Sequence, residues 1–222
     1  MYWEFIFPVL TNPSIYGIPL RRDFCFGMKR YFIIYKPYLV LSQFTAQLNK
    51  QSLANYFSVP KNVYPVGRLD EDSEGLLILT DDEKLNHLLL DPSLAHEREY
   101  WVQVEGVISR EAINQLQQGV EINLNGKPYT TKHCVASIFK EEPPLPPRNP
   151  PIRFRKNIPT TWIKIVLKEG KNRQVRRMTA KVGFPTLRLV RFRIQDVELD
   201  NLLPGEMIEL SQRTIYKKLF HE

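Results

Sequence analysis

The chain has 222 residues, of which 43% are hydrophobic and 25% charged, a balance that supports a packed core and argues against global disorder. Thirty-one lysines and arginines against 24 aspartates and glutamates leave a formal net charge of +7, which favours RNA or DNA over a small acidic metabolite as partner. Two cysteines and four scattered histidines fit neither a disulfide framework nor a zinc site, so we expect a reducing cytoplasm and no bound metal. No unbroken apolar run reaches the length needed to cross a membrane, so no membrane-spanning segment is expected.

The first 27 residues follow neither the strand period of 2 nor the helix period of 3.6. Their apolar start lacks a preceding basic residue and is soon interrupted by prolines, which argues against a signal peptide. A more ordered pattern opens at Met28. We therefore predict that residues 1–27 are a dispensable extension and that residues 28–222 form the folded domain.

From there the pattern mixes strands and helices without a repeating βαβ unit. The predicted strands are Arg30–Lys36, Leu76–Thr80, Glu99–Glu105, Thr161–Lys168, Thr186–Ile194 and Glu206–Leu210. The predicted helices are Ser52–Phe57, Asp82–Leu90, Ser109–Gln118 and Lys171–Val182. Asn125-Gly126 indicates a hairpin turn, and the proline-rich segment Glu141–Pro159 an extended loop. The predicted class is α+β, with a mixed, mainly antiparallel sheet flanked by helices.

One glycine-bounded turn holds four carboxylates, directly before the strand that starts at Leu76: Asp70, Glu71, Asp72 and Glu74. A solvated acidic loop is the simplest interpretation. A calcium loop is a second, but its final bidentate glutamate would fall at Asp81, beyond an apolar strand. A third makes Asp70 a nucleophile that Arg68 keeps ionised, able to attack an electrophilic carbon without a metal. The pattern alone does not choose among them.

Two long motifs resemble those of the ribosomal branch of the pseudouridine synthases. GRLDEDSEGLLILTDD (67–82) is similar to the first signature and KEGKNRQVRRMTAKVGFPTLRLVR (168–191) to the second. YKPYLVLSQFT (35–45) resembles the segment before the catalytic turn, and the resemblance runs from Lys29 to Leu210. It implies the pseudouridine synthase fold, with two lobes around a basic cleft. It also implies isomerisation of a uridine without any cofactor, by glycosidic cleavage, rotation of the base and rejoining through carbon.

The resemblance implies three catalytic residues. The aspartate of GRLD matches Asp70, which would attack or deprotonate the ribose. Tyr100 matches a tyrosine that stacks on the uracil and can take a proton from the rejoined carbon, although by pattern alone it is one inward position of a strand. Arg176, in NRQVRRM, matches the arginine that pairs with the catalytic aspartate, although by pattern alone its helix presents an ordinary basic face.

The resemblance also implies RNA contacts. Arg68 matches the arginine that fills the space of an extruded base. Leu189 matches the apolar residue beneath the base, and Arg191 its basic companion. Arg173 and Arg177, four apart on the predicted helix, are expected to face phosphate.

A second basic stretch, Arg148–Lys156, contains Arg153 and Arg155, and Trp162 follows it. Basic residues interleaved with aromatics favour a loop that faces RNA. Pro143–Arg148 also fits a PxxPxR ligand of SH3 domains, an interpretation that nothing else in the chain supports.

Many relatives carry a small S4 RNA-binding domain, for which the segment before Met28 is too short, so we expect a single catalytic domain. Nothing in the sequence demands more than a monomer. With no room for an S4 domain, and with the segment Arg148–Trp162, the chain resembles enzymes that modify a uridine in domain V of 23S rRNA. Two alternatives stay open at this point. One is a non-catalytic rRNA-binding assembly factor with the same fold, and the other is a metal-dependent nuclease, which a chelator would inactivate.

Overall fold

The structure, a computed structural model, describes residues 28–152 and 158–222. The predicted extension 1–27 and the predicted RNA contacts Arg153 and Arg155 lie outside the described residues. Within the described ranges, no helix is long and apolar enough to cross a membrane.

The described residues form thirteen strands and four α-helices, which confirms the α+β class. The strands are β1 Tyr31–Lys36, β2 Val40–Leu41, β3 Gln51–Ser52, β4 Tyr64–Pro65, β5 Glu74–Thr80, β6 Arg98–Glu105, β7 Glu121–Leu124, β8 Lys127–Thr130, β9 Val135–Ile138, β10 Thr160–Leu167, β11 Thr186–Ile194, β12 Val197–Glu198 and β13 Met207–Leu210. The helices are α1 Glu83–Leu90, α2 Arg110–Gln118, α3 Gln174–Lys181 and α4 Gln212–Phe220.

Nine strands form one sheet in the order β13-β1-β5-β11-β6-β10-β9, with β4 added to β5 and β12 added to β11. The named pairs of this sheet are antiparallel except β5 with β11, which run parallel over a short ladder that pairs Val190 with Glu74 and Arg191 with Gly75. The expectation of a mixed, mainly antiparallel sheet is therefore confirmed.

The core has two parts that meet at β11. Both faces of β1 and β5 are covered, because α1 and α4 pack on one face and the segment around Leu53 and Phe57 packs on the other. Every residue of β5 is buried, as its continuous apolar run predicts. The second part lies between β6, β10 and β11 on one side and α2 and α3 on the other.

Asp82 ties three elements of the first core together. Its Oδ1 accepts hydrogen bonds from the backbone N–H groups of Lys84 and Leu85 and so caps α1. Its Oδ2 accepts the hydroxyls of Tyr31 in β1 and Tyr216 in α4, each at 2.7 Å. This one buried carboxylate thus fixes the C-terminal helix against the sheet.

Several predicted boundaries are wrong. The helix predicted over Lys171–Val182 begins at Gln174, because Arg173 adopts a left-handed conformation with φ of 51°. The predicted helix Ser52–Phe57 is a single 3₁₀ turn, Leu53–Asn55. The strand predicted from Leu76 already begins at Glu74.

Trp162 lies in β10 with only 8% of its surface exposed, so it does not offer the stacking surface expected of it.

Candidate active site

A cavity of about 750 Å³ opens where β5, β11 and β6 meet. Of the eight predicted site residues that the structure describes, six line it: Arg68, Asp70, Tyr100, Arg173, Leu189 and Arg191. Seven lysines and arginines face the cavity against four aspartates and glutamates, a lining suited to a polyanion.

Asp70 lies on the turn between β4 and β5, and that turn is anchored on both sides of it. Leu69 is buried, and its backbone N–H and C=O both bond to the Ser42 hydroxyl, at 3.0 and 2.7 Å. On the other side, the Ser73 N–H donates to the Asp70 carbonyl at 3.0 Å. The Asp70 side chain, 32% exposed, projects from this fixed backbone toward the cavity.

Gly75 lets the turn approach β11. A Cβ atom at this position would lie 2.4 Å from the carbonyl oxygen of Arg191, a separation that no side chain tolerates. Its φ of 109° also favours glycine. The glycine therefore brings the turn that carries Asp70 against the strand that carries Arg191.

Lys36, at the end of β1, is fully buried beneath the same turn. Its Nζ donates to the carbonyls of Val40 and Pro37, at 2.7 and 2.9 Å, and lies 3.4 Å from that of Glu71. Burial lowers the pKa of Lys36 to about 7, although nearby carboxylates oppose the shift. The role of Lys36 was not predicted from the sequence, where the only indication is a lysine at the end of an apolar strand.

The ion pair predicted between Arg176 and Asp70 is not formed. The Arg176 Nη2 donates instead to the backbone carbonyl of Asp72, at 2.5 Å, and its Nε lies 3.4 Å from the Asp72 carboxylate. Among the described residues, the cation nearest to Asp70 is Arg173, with 3.9 Å between Nη1 and Oδ2. The two Nη atoms of Arg173 donate hydrogen bonds to the two carboxylate oxygens of Asp72, at 2.8 and 2.7 Å.

Arg173 and Arg177, which were both expected to face phosphate, point in different directions. Because α3 begins only after Arg173, that residue turns toward the cavity, while Arg177 donates to the backbone carbonyl of Asn123 in β7. Arg177 does not line the cavity. The two residues are therefore not on one helix, and their contact with phosphate stays a prediction.

The cavity floor holds three predicted residues. Tyr100 and Arg191 are direct partners across the β6–β11 ladder, and Leu189 lies in the buried apolar cluster against which Tyr100 packs. Arg191 is only 6% exposed, and its Nε donates to the Leu76 carbonyl at 2.8 Å. Its Nη2 has no hydrogen-bond partner among the described residues, so a donor remains at the floor of the site.

Glu169 forms a part of the wall that the sequence analysis did not single out. This buried carboxylate accepts the Tyr129 hydroxyl at 2.6 Å, the Lys132 N–H at 2.9 Å and the Gln174 amide at 2.5 Å. The hydrogen bond to Glu169 raises the pKa of Tyr129 to about 12. Glu169 thereby joins the β7–β8 hairpin to the first residue of α3.

Arg68 lies at the mouth of the cavity with an exposed side chain, and its guanidinium is 3.3 Å from the Gln43 amide oxygen. In the proline-rich loop, the Arg148 guanidinium lies 4.0 Å from the centre of the Tyr38 ring.

Comparison with known proteins gives a consistent result. The profile of a family described as RNA pseudouridylate synthase matches residues 30–181. A protein of Vibrio parahaemolyticus named ribosomal large subunit pseudouridine synthase E is 47% identical over 182 residues, covering 82% of this chain and 74% of its own. A protein of the same name from Xanthomonas axonopodis pv. citri is 50% identical over 174 residues, covering 78% and 89%. A crystal structure titled pseudouridylate synthase superposes with a TM-score of 0.69 at 26% identity, covering 86% of this chain and 74% of that one.

Proposed function

The chain belongs to the RNA pseudouridylate synthase family, and from that premise we propose that it isomerises one uridine of 23S rRNA, in domain V, to pseudouridine. Relatives named as large subunit enzymes, which are 47% and 50% identical to this chain over the aligned residues, support rRNA as the substrate. The choice of domain V rests on the resemblance of the segment Arg148–Trp162. The observation that carries the proposal is the anchored Asp70 at a cationic cavity whose floor holds Tyr100 and Leu189.

Asp70 starts the reaction at the ribose of a uridine flipped into the cavity, either by attack on C1′ or by removal of a ribose proton. The N1–C1′ bond breaks, the uracil turns, and a C5–C1′ bond forms while the Asp70–C1′ bond breaks or, in the second route, while Asp70 returns the proton to the ribose. The proton on C5 then leaves and N1 gains one, so that the atoms balance without oxidation or reduction. The anchored backbone on both sides of Asp70 supports this role, because a fixed carboxylate loses little entropy in reaching the reacting atom.

Tyr100 and Leu189 hold the base. The Tyr100 ring packs beside Leu189 on the floor, where a flat uracil can stack, and its hydroxyl takes the C5 proton. Arg68, exposed at the mouth, fills the place of the flipped base and offsets part of the few kcal/mol that unstacking costs. Arg153 and Arg155, in the basic stretch Arg148–Lys156, also bind RNA phosphate.

The test is pseudouridine mapping of 23S rRNA by carbodiimide modification and primer extension. It compares a strain that lacks the protein with strains that carry the wild type or Asp70→Asn. We expect one stop in domain V that only the wild type restores. If Asp70→Asn also restores the stop, the non-catalytic assembly factor is favoured. If the stop that depends on the protein lies elsewhere in the rRNA, only the assignment to domain V is refuted.

A chelator separates the proposal from the metal-dependent nuclease. With an rRNA fragment as substrate, the purified protein should form pseudouridine at the same rate with and without EDTA and leave the strand intact. Strand cleavage that EDTA abolishes would favour the nuclease.

A further inference from the structure

We propose that the groove between the β7–β8 hairpin and α3, outside the cavity, binds the phosphate backbone of the RNA strand that carries the target uridine. The inference rests on the proposed function, because it names where the rest of that strand lies while the uridine occupies the cavity. Three observations carry it: the charge of the groove, its continuity with the cavity, and the contacts that join its two walls.

The groove has a volume of about 450 Å³, and β7, β8 and α3 supply its lining. Its cations are Arg177 and Lys181, which are four positions apart and therefore lie on one face of α3. Like charges at this spacing destabilise a helix slightly. One carboxylate, Glu121, also lines the groove, but neither cation forms an ion pair with any of the described residues. Both charges therefore remain available for an external anion.

The two cations suit consecutive phosphates. Four residues of an α-helix rise by about 6 Å along its axis, close to the separation of neighbouring phosphates along an RNA strand. Lys181 is exposed. The Arg177 guanidinium donates through Nη1 to the Asn123 carbonyl, and its Nη2 lies 3.3 Å from the Asn172 side-chain oxygen. A guanidinium has five N–H donors, so these contacts leave others for a phosphate.

The groove is continuous with the cavity. Arg177 contacts both sides of the boundary, because Asn172 lines the cavity whereas Asn123 lines the groove. The exposed Lys171, next to Asn172, also lines the cavity. A strand whose uridine occupies the cavity can therefore run past Lys171 and Arg177 to Lys181 and meet a cation at each step.

The walls of the groove are joined to each other in the protein without RNA. Arg177 holds the hairpin to α3 by its bond to the Asn123 carbonyl. Glu169 makes a second link, because it accepts the Tyr129 hydroxyl of the hairpin and the side-chain amide of Gln174, the first residue of α3. A site whose walls are already fixed loses little conformational entropy when its ligand binds.

The experiment measures RNA binding by filter retention over a range of salt concentrations, with an rRNA fragment that contains the mapped uridine. Lys181→Gln removes one charge from the groove, and Ala180→Lys adds one at an exposed alanine that also lines it. The matched controls make the same changes elsewhere, namely Lys217→Gln on α4 and Ala54→Lys in the 3₁₀ turn. Both control residues are exposed and line neither the cavity nor the groove.

We expect Lys181→Gln to weaken binding about fivefold at roughly 0.1 M salt and to reduce the slope of log Kd against log salt concentration by about 1. Ala180→Lys should strengthen binding and increase this slope by about 1, a gain that a damaged fold would not produce. The controls should leave the slope close to the wild-type value. The single-turnover rate at saturating protein should be that of the wild type in all four variants, because none of the changed residues lines the cavity.

Shortened fragments test whether the target strand itself fills the groove. Removal of nucleotides from one end of the fragment should abolish the difference in affinity between Lys181→Gln and the wild type. Removal of nucleotides from the other end should leave that difference unchanged.

Equal slopes in Lys181→Gln, Ala180→Lys and the wild type would overturn the proposal, as would equal changes in the groove variants and their controls. A difference in affinity that survives removal of both flanks would overturn it too. A wild-type protein that binds the fragment but forms no pseudouridine would instead refute the proposed function. The two failures are therefore distinguishable.

Discussion

Glu74 and Arg188, 114 residues apart in the chain, form a bidentate ion pair in the interior, with Nε–Oε1 and Nη2–Oε2 distances of 2.9 and 2.8 Å. Their side chains are 2% and 6% exposed. The strands β5 and β11 pair through only a short parallel ladder. The ion pair therefore forms an additional link between these two strands, beside the turn that carries Asp70.

Removal of one partner should therefore destabilise the fold strongly. Glu74→Gln leaves the Arg188 charge buried without a counter-charge, a change that typically costs about 3–5 kcal/mol of unfolding free energy. Urea unfolding followed by circular dichroism measures the loss. The exposed pair of Glu209 and Arg30 is the control, and Glu209→Gln should move the midpoint little. Equal midpoints for the two variants would contradict the prediction.

Lys36 should make stability rise with pH. Its folded pKa of about 7 lies below the ordinary lysine value of 10.5, so the unfolded chain binds more protons between these limits. The unfolding free energy of the wild type, taken relative to Lys36→Met, should then increase from pH 7 to pH 10, by an amount on the order of a few kcal/mol. Urea titrations at several pH values measure the difference, with Lys50→Met, an exposed lysine, as control. A flat difference would show that burial does not lower the pKa of Lys36.

Tyr100 should act through both its ring and its hydroxyl. Tyr100→Phe keeps the packing against Leu189 and should bind RNA as the wild type does, yet form pseudouridine about 10²-fold more slowly or worse, because the proton acceptor is gone. Tyr100→Ala removes the stacking surface and should also weaken binding. Filter binding and single-turnover rates separate the two effects. A Phe variant with full activity would reduce Tyr100 to a stacking residue.

Asp82 should hold α4 to the sheet. Each tyrosine hydroxyl bonds to a carboxylate, so Tyr216→Phe and Tyr31→Phe should each lower the unfolding free energy by about 1.5–3 kcal/mol. Although burial opposes it, the hydrogen bonds from both tyrosines lower the pKa of Asp82, so its stabilisation is present at neutral pH and lost on acidification. Proteolysis near residue 211 should accelerate in Tyr216→Phe. If the unfolding free energy lost in the double variant equals the sum of the losses in Tyr216→Phe and Tyr31→Phe, the two hydroxyls act independently.

The sequence predicted those elements whose signals are local. β5 follows from one apolar run, and α2 from a serine cap and a closing glycine, both of which the structure contains. Helix α4 was missed even though Ser211 caps it and Ile215, Tyr216 and Leu219 are buried at helical spacing. The four-residue edge strand β9 was missed as well, because it is too short to show a clear alternation.

Contacts between distant segments could not be predicted in the same way. The alternation in Thr186–Ile194 suggests exposed arginines, yet Arg188 and Arg191 are buried, because Glu74 and the Leu76 carbonyl provide partners more than 100 residues away. The family resemblance placed Asp70, Tyr100 and Leu189 at one cavity, where the structure also has them. It did not predict the partner of Arg176, since that depends on where α3 begins and on a second carboxylate two residues after Asp70.

The parallel pairing of β5 with β11 also bears on synthesis. Asp70 and Tyr100 leave the ribosome early, but the floor of the cavity requires Leu189 and Arg191, which emerge more than a hundred residues after Asp70. Such a high contact order delays closure of the site until nearly the whole chain is available. A nascent fragment that ends before β11 therefore contains Asp70 but lacks Leu189 and Arg191, with which Asp70 shares the cavity.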